Sequence, residues 1–192
     1  MKDALMSLHE GGRFRVQEVY TPPFILDAVR AAFGGQIGLD PCAATDSSMW
    51  FAETNWHLPY EVAELQEALE AAPRGQTAEL KRRIKAFTHA GSLTREWPSV
   101  PTFMNPHFDT LAPWLARFAA MTVPAVVLCP VRTHRKWWVR GAVGAECVLL
   151  APFAFVGNKS TFPAPLCLLS RNCRIPYLGK AETGRASFGV SE

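Results

Sequence analysis

Residues 102–108 (TFMNPHF) combine side chains that suit the recognition of a flat, amine-bearing ring. An apolar run leads into an amide, a proline, a histidine and an aromatic ring. In an α/β protein, a buried strand that ends this way delivers its last side chains to the carboxyl edge of the sheet, where ligands bind. Asn105 offers a carbonyl acceptor and an amide donor, Pro106 has a fixed φ angle and leaves its carbonyl outward, and Phe108 is a flat stacking surface. The stretch favours binding of a planar ring with an exocyclic amine.

A second candidate site lies in residues 36–44, where a short strand runs into Asp40, Pro41 and Cys42. A carboxylate at the end of a strand can pair with a cationic amine, and the small residues after it allow the backbone to approach a ligand closely. The segment lacks the G-x-G-x-x-G spacing, which disfavours a nicotinamide cofactor. An aspartate that caps a turn before a proline explains the same residues equally well. Both interpretations stay open.

The elements that position these residues are predicted from proline, glycine and apolar spacing. Tyr20-Thr21-Pro22-Pro23 is a rigid extended segment. Thr21 is expected to cap the helix that follows, and Gly34-Gly35 to end it. A second helix carries Leu111, Trp114, Leu115 and Phe118, and buried strands are expected at 125–129, 146–150 and 165–169. Residues 153–162 are predicted to be an exposed loop, and the tail from Arg171 gives no structural signal.

The order of these motifs resembles that of the phage-type DNA N6-adenine methyltransferases. The resemblance covers residues 18–58 and 93–170, and it includes Trp50, Trp97 and Trp114 between and after the motifs. It implies an α/β fold with a doubly wound, mostly parallel, Rossmann-like sheet. It also implies transfer of a methyl group from S-adenosylmethionine to the N6 amine of adenine in DNA. The family further implies a phage or prophage origin and a place in the bacterial cytoplasm.

The resemblance assigns roles to individual residues. Asn105, Pro106 and Phe108, with His107 among them, hold the target base. The cofactor is held by the backbone of Tyr20, Thr21 and Pro22 and by the Asp40 turn. Glu53 or Asn55 reaches its ribose or adenine. The residues expected to contact cofactor are Tyr20, Thr21, Pro22, Asp40, Pro41, Cys42, Glu53 and Asn55.

Three departures from the family pattern leave two alternatives open. His107 stands where a second proline is expected, residues 53–58 match only loosely, and a long insertion separates the matching blocks. Because cytosine presents a similar amine beside a ring nitrogen, N4-cytosine methylation is the first alternative. The second, suggested by His107, is a DNA-binding protein that keeps the fold without turnover.

Two basic segments are candidates for contact with DNA. The insertion, residues 59–90, is predicted to be a helical hairpin with one acidic arm and one basic arm that contains Arg82 and Arg83. The basic arm either neutralises the acidic arm or binds phosphates. After the 125–129 strand, Arg132, Arg135 and Lys136 alternate with indoles, a composition that suits phosphates and exposed bases. Trp137 and Trp138 could equally cover the core.

The bulk composition sets weaker limits. The 192 residues, 48% of them hydrophobic, suffice for a single domain with a sizeable core. A net charge of +3 permits DNA as a partner without requiring it. Five cysteines without C-x-x-C spacing favour reduced core thiols, and the histidine spacing predicts no metal site. No apolar run of about 18 residues occurs, so we expect neither a secretory signal nor a membrane span. The oligomeric state is not predicted.

Overall fold

Strands and helices alternate through the computed structural model, which describes residues 8–9, 13–14, 20–43, 50–56, 92–106, 108 and 111–187. The predicted hairpin at 59–90 lies outside these residues. A short antiparallel pair, β1 with β2, stands apart from the main sheet. The elements are β1 (Leu8–His9), β2 (Arg13–Phe14), α1 (Pro23–Ala32), β3 (Leu39–Asp40), β4 (Thr54–Asn55), β5 (Thr102–Met104), α2 (Leu111–Ala119), β6 (Ala125–Pro130), α3 (Lys136–Ala142), β7 (Glu146–Leu150), β8 (Leu166–Arg171), a 3₁₀ turn (Gly179–Ala181) and β9 (Glu182–Ser187).

The main sheet has seven strands in the order β4-β3-β5-β6-β8-β7-β9. β4, β3, β5 and β6 are joined by parallel pairing. β8 is antiparallel to both β6 and β7, so β7 points the same way as β6. Five of the seven strands therefore share one direction, and β8 and β9 run against them. The predicted α/β, mostly parallel sheet is confirmed.

Helices cover both faces of this sheet. Successive side chains of a strand point to opposite faces, and β6 shows the alternation. Val126 and Leu128 pack in the cluster that contains Ile25 and Val29 of α1, whereas Val127 packs in the cluster built by α2 and α3. Burial on both faces explains why 125–129 is apolar throughout. The doubly wound arrangement is confirmed.

Most predicted elements are present with shifts of a residue or two. α1 ends at Ala32, and the chain then turns at Gly34 and Gly35, which both have positive φ angles. The four apolar residues predicted for the second helix are all buried in α2. The strands predicted at 125–129, 146–150 and 165–169 correspond to β6, β7 and β8.

The second half of the chain contains a strand on which the sequence made no prediction and a loop that is less exposed than expected. The polar tail contains β9, which the sequence does not reveal because its residues (ETGRAS) lack an apolar alternation. Arg185 of β9 instead donates to Glu146 at 2.8 Å and to Glu182 at 2.6 Å. Residues 153–162 are not simply an exposed loop either, because Phe155 is buried and Phe153 and Phe162 are half-buried. The phenyl rings of these three residues pack in the same hydrophobic cluster as Ile25 and Val29 of α1.

The thiols are free at all five cysteines, and Cys129, Cys147 and Cys167 are buried among the strands. No group of three or more His, Cys, Asp or Glu side chains within the described ranges is arranged to hold a metal ion. Of the helices in that same part of the chain, none has both the length and the apolarity needed to cross a membrane.

Candidate active site

The site lies where the strand order changes direction. From β3 the chain proceeds outward to β4, and β5 then returns to the other side of β3. In open α/β sheets, the crevice outside the carboxyl ends of two such strands is the usual ligand site. β3 ends at Asp40, and Asn105 directly follows β5, which pairs in parallel with β3. The two motifs singled out from the sequence therefore meet at one edge of the sheet.

Asp40 is a buried carboxyl group at this edge. Its side chain is 3% exposed, and its Oδ1 atom accepts a hydrogen bond of 2.9 Å from the Cys42 backbone N–H. Burial raises the pKa of Asp40 to about 7, and the Cys42 N–H opposes that rise. The turn-capping interpretation is thus correct for one carboxyl oxygen. No lysine or arginine in the described part of the chain forms an ion pair with Asp40.

Cys42 links the Asp40 turn to Asn105. The backbone N–H of Asn105 donates to the Cys42 sulfur, which acts to lower the pKa of the thiol. Burial and the neighbouring Asp40 charge have the larger effect and raise that pKa well above its usual value. Cys42 is therefore a neutral thiol at ordinary pH, and it serves as a packing and hydrogen-bonding residue between the two strand ends.

Thr21 contacts the side chain of Asn105. The Asn105 Nδ2 atom donates to Thr21 Oγ1 at 3.0 Å, and Thr21 is buried. The prediction that Thr21 caps α1 was wrong, because the N-cap is Pro22 and no side chain caps the helix. The Pro22 carbonyl accepts from the N–H groups of Ile25 and Leu26 instead. The structure thus places residues 20–22 against the Asn105 motif.

The loop after β7 completes the neighbourhood of this segment. Tyr20 and Val156 form an antiparallel bridge with two hydrogen bonds, of 3.1 and 3.0 Å. Phe108 packs edge-on against Phe162, with ring centroids 5.2 Å apart, and against Phe155 at 6.1 Å. Sequence reasoning missed these loop residues as part of the site. The only signal was three phenylalanines within residues 153–162, which no strand or helix pattern connects to Phe108.

The two residues proposed to reach the cofactor's ribose or adenine lie in different places. Asn55 is the register partner of Asp40, but its amide already donates to the Ala52 carbonyl at 2.6 Å and accepts from the Ala52 N–H. Glu53 is exposed, and its N–H donates to Ile37, three residues before Asp40. A cavity of about 240 Å³ lies at that amino end, lined in part by Glu53, Ile37 and Arg30. Of the two, only Asn55 lies beside Asp40.

The basic segment after β6 faces solvent at the same edge of the sheet. β6 runs parallel to β5, so the residues that follow it emerge on the side where Asn105 lies. Arg132, Arg135 and Lys136 are all exposed. Trp138 is only 1% exposed and belongs to the core, whereas Trp137 is half-buried. His107, Arg82 and Arg83 lie outside the described residues.

The comparisons with known proteins give matches among solved structures alone. No family model matches the sequence, and neither does any curated protein. Among solved structures, the chain is similar to a dimethyladenosine transferase from Plasmodium falciparum. The TM-score is 0.43 and the identity 9%, over 82% of this chain and 63% of that one.

Proposed function

We propose that this protein transfers a methyl group from S-adenosylmethionine to the N6 amine of adenine in DNA. The observation that carries the proposal is the contact of Asn105 with both halves of the expected cofactor site. Its side chain binds Thr21, and its backbone N–H binds Cys42 of the Asp40 turn. These motifs are far apart in sequence and meet at the edge of the sheet where ligands bind.

The Asp40 turn fits the amino acid end of the methyl donor. Burial of a carboxylate is costly, and this cost is expressed as the raised pKa of Asp40. Among the described residues no lysine or arginine pairs with Asp40, and the ammonium group of S-adenosylmethionine would supply a cation and draw Asp40 into its ionised form. Tyr20, Thr21 and Pro22 would form the opposite wall of this position: Thr21 contacts Asn105, and Tyr20 is bridged to Val156.

Asn105 and Pro106 fit an exocyclic amine. Because Asn105 Nδ2 is engaged by Thr21, Oδ1 is the atom that accepts from the amine, and the Pro106 carbonyl is a second acceptor. When bound, the sulfonium donor supplies an electrophilic methyl group: its S–CH₃ bond breaks with the electron pair left on sulfur, the N6 lone pair forms the new N–CH₃ bond, and an N6 proton passes to water. Two acceptors hold the amine so that its lone pair faces the methyl group, which is catalysis by positioning.

Phe108 and the exposed cations after β6 are suited to contact the nucleic acid substrate. A base inside a duplex cannot reach the site, so it must leave the stack at a cost of a few kcal/mol, roughly. Phe108 lies beside Asn105 and Pro106 and is only half-buried, which leaves part of its ring to contact the extruded base. Arg132, Arg135 and Lys136 suit the flanking phosphates.

A methylation assay with product identification tests the proposal. The protein is incubated with S-adenosylmethionine labelled in the methyl group and with DNA of mixed sequence, and parallel reactions contain RNA. The nucleic acid is then digested to nucleosides. We expect label in N6-methyl-2′-deoxyadenosine from DNA, and a rate lower by about 10²-fold or more when Asn105→Ala replaces the wild type.

Other outcomes identify the alternatives. Label in N4-methylcytosine would assign the enzyme to cytosine, and label from RNA alone would change the substrate class. Donor binding measured by calorimetry, together with DNA binding but no transfer, would favour a binding protein that lacks turnover.

A further inference from the structure

We infer that Thr21 is a positioning residue, which sets the orientation of the Asn105 amide through the hydrogen bond from Asn105 Nδ2 to Thr21 Oγ1. The inference rests on the proposed function, since it assigns a task to a second residue of the same site. The sequence pattern gave Thr21 a different task, the capping of α1, which the structure assigns to the Pro22 carbonyl. The hydroxyl is thereby left for Asn105.

The orientation of this amide decides what it can bind. Rotation by 180° about the last side-chain bond exchanges the carbonyl oxygen and the NH₂ group. An amine that is to be methylated needs an acceptor, so an Asn105 that presented its NH₂ would repel the amine's own N–H. In the structure Nδ2 donates to Thr21 Oγ1 at 3.0 Å, which leaves Oδ1 available, and loss of this contact would free the amide to rotate.

Thr21 is itself restricted in conformation, so its hydroxyl can fix the position of a neighbouring side chain. Its side chain is β-branched, which restricts its own rotamer, and it is only 7% exposed. The proline that follows restricts its backbone, and the preceding Tyr20 is bridged to Val156 by two hydrogen bonds. The Asn105 backbone is fixed from the other side by Cys42. Asn105 is therefore contacted at its backbone by Cys42 and at its side-chain amide by Thr21.

A matched pair of variants separates the hydroxyl from the shape of the side chain. Thr21→Val keeps the branched shape and removes the acceptor, whereas Thr21→Ser keeps the acceptor. We expect Thr21→Val to lower kcat for DNA methylation by about tenfold, the effect of losing one hydrogen bond. KM for DNA and Kd for S-adenosylmethionine should stay within about threefold, and Thr21→Ser should restore most of kcat.

A double-mutant cycle checks that Thr21 acts through Asn105. In an Asn105→Ala background, Thr21→Val should have no further effect on kcat, because the amide that it positions is gone. Thr21→Val with unchanged kcat would overturn the inference. So would a loss that adds fully to that of Asn105→Ala, or one confined to donor affinity, which would place the hydroxyl on the donor instead.

A spectroscopic readout keeps this test independent of the proposed function. The side-chain amide signals of Asn105 are identified by their absence in ¹⁵N spectra of Asn105→Ala. We expect Thr21→Val to shift them and Thr21→Ser to leave them close to the wild type. If wild type methylates no nucleic acid, the proposed function fails, while these spectra still decide whether Thr21 orients Asn105. Signals that are the same in all three proteins would overturn the contact.

Discussion

At the residue scale, the proposed role of Asn105 depends on how its neighbours fix the position of its side-chain amide. An amide is neither a strong base nor a nucleophile, so its value lies in where its oxygen points. Here one side-chain N–H is engaged by Thr21 and the backbone N–H by Cys42. Both partners come from segments that also form the expected donor site. One set of contacts would therefore build both of the proposed positions, for the methyl donor and for the base.

Asn105→Ala should reduce the methylation rate by about 10²-fold or more, since a lost positioning contact in an active site costs about 3 kcal/mol. Affinity for S-adenosylmethionine should change far less, because the amide faces the base. Single-turnover rates and calorimetry measure the two effects. Asn158→Ala, which removes the same amide from the loop after β7, is the control. Equal losses in rate and donor affinity would place Asn105 at the donor.

The buried carboxyl group of Asp40 should make the stability of the folded protein depend on pH. Its pKa is about 7 in the folded protein against 3.8 for an ordinary aspartate. The folded state therefore holds this proton more tightly than the unfolded state does. The resulting stability is fully present below pH 3.8 and is lost as the pH rises towards 7, by at most about 4 kcal/mol.

Asp40→Asn should remove this dependence, because an amide can still accept the Cys42 N–H but does not titrate. We expect the free energy of unfolding in urea to fall between pH 5 and pH 8 in the wild type relative to Asp40→Asn. Comparison of the two proteins cancels the opposite contribution of Glu182, whose pKa Arg185 lowers. Parallel pH profiles for the two proteins would show that Asp40 does not titrate in this range.

At the scale of elements, β3 and the chain before β5 approach each other closely at Gly38. Gly38, just before β3, donates its N–H to the Pro101 carbonyl at 2.9 Å. A Cβ atom at Gly38 would lie 2.8 Å from Val100 Cβ and 3.1 Å from the Pro101 carbonyl oxygen. Neither neighbour can move without shifting the strand that carries Asn105.

Gly38→Ala should therefore destabilise the protein by about 1–3 kcal/mol, the usual cost of overpacking. Gly184→Ala in β9 is the matched control, since its Cβ would meet Leu149 Cδ1 at an ordinary 3.5 Å. Urea unfolding measures both. Similar effects at the two glycines would mean that the approach at Gly38 relaxes freely.

The elements themselves were predictable where their sequence reports burial on one or two faces. β6 was evident because both of its faces are covered, and α2 because one apolar stripe meets the sheet. β9 was not, since it is an edge strand that pairs with β7 through its backbone and through the ion pair of Arg185 with Glu146. Such pairing depends on residues that only the fold brings together.

The site was predictable in its motifs and not in its contacts. The spacing of strand ends placed Asp40 and Asn105 at one edge, because parallel strands end together. The task of Thr21 was misread, since a threonine before a proline helix start usually caps it. The packing of Phe108 on Phe155 and Phe162 depends on how the loop after β7 folds back. No pattern in the local sequence predicts how this loop folds back onto Phe108.

On the scale of the whole molecule, exposed cations lie at both edges of the sheet, and their positions distinguish what they can bind. Arg132 and Arg135 emerge after β6, on the edge that carries Asn105. α3 begins directly afterwards and packs closely on α2, where Gly141 lies against Leu115. Arg174 follows β8, which runs the other way, so this arginine lies at the opposite edge with its side chain 86% exposed.

Neutralising Arg135 should weaken DNA binding equally for all sequences and reduce the dependence of log K on log salt by about 0.9, the value for one lost phosphate contact. Arg174→Ala is the matched control: it removes the same charge from the protein, so a nonspecific effect of net charge would appear in both variants. Fluorescence anisotropy with one duplex over a series of salt concentrations gives the slopes. Because Arg174 lies at the edge away from Asn105, the salt slope of Arg174→Ala should match that of the wild type. If Arg135→Ala also keeps the wild-type slope, or if both variants lose the same amount, the segment after β6 is not where the phosphates bind.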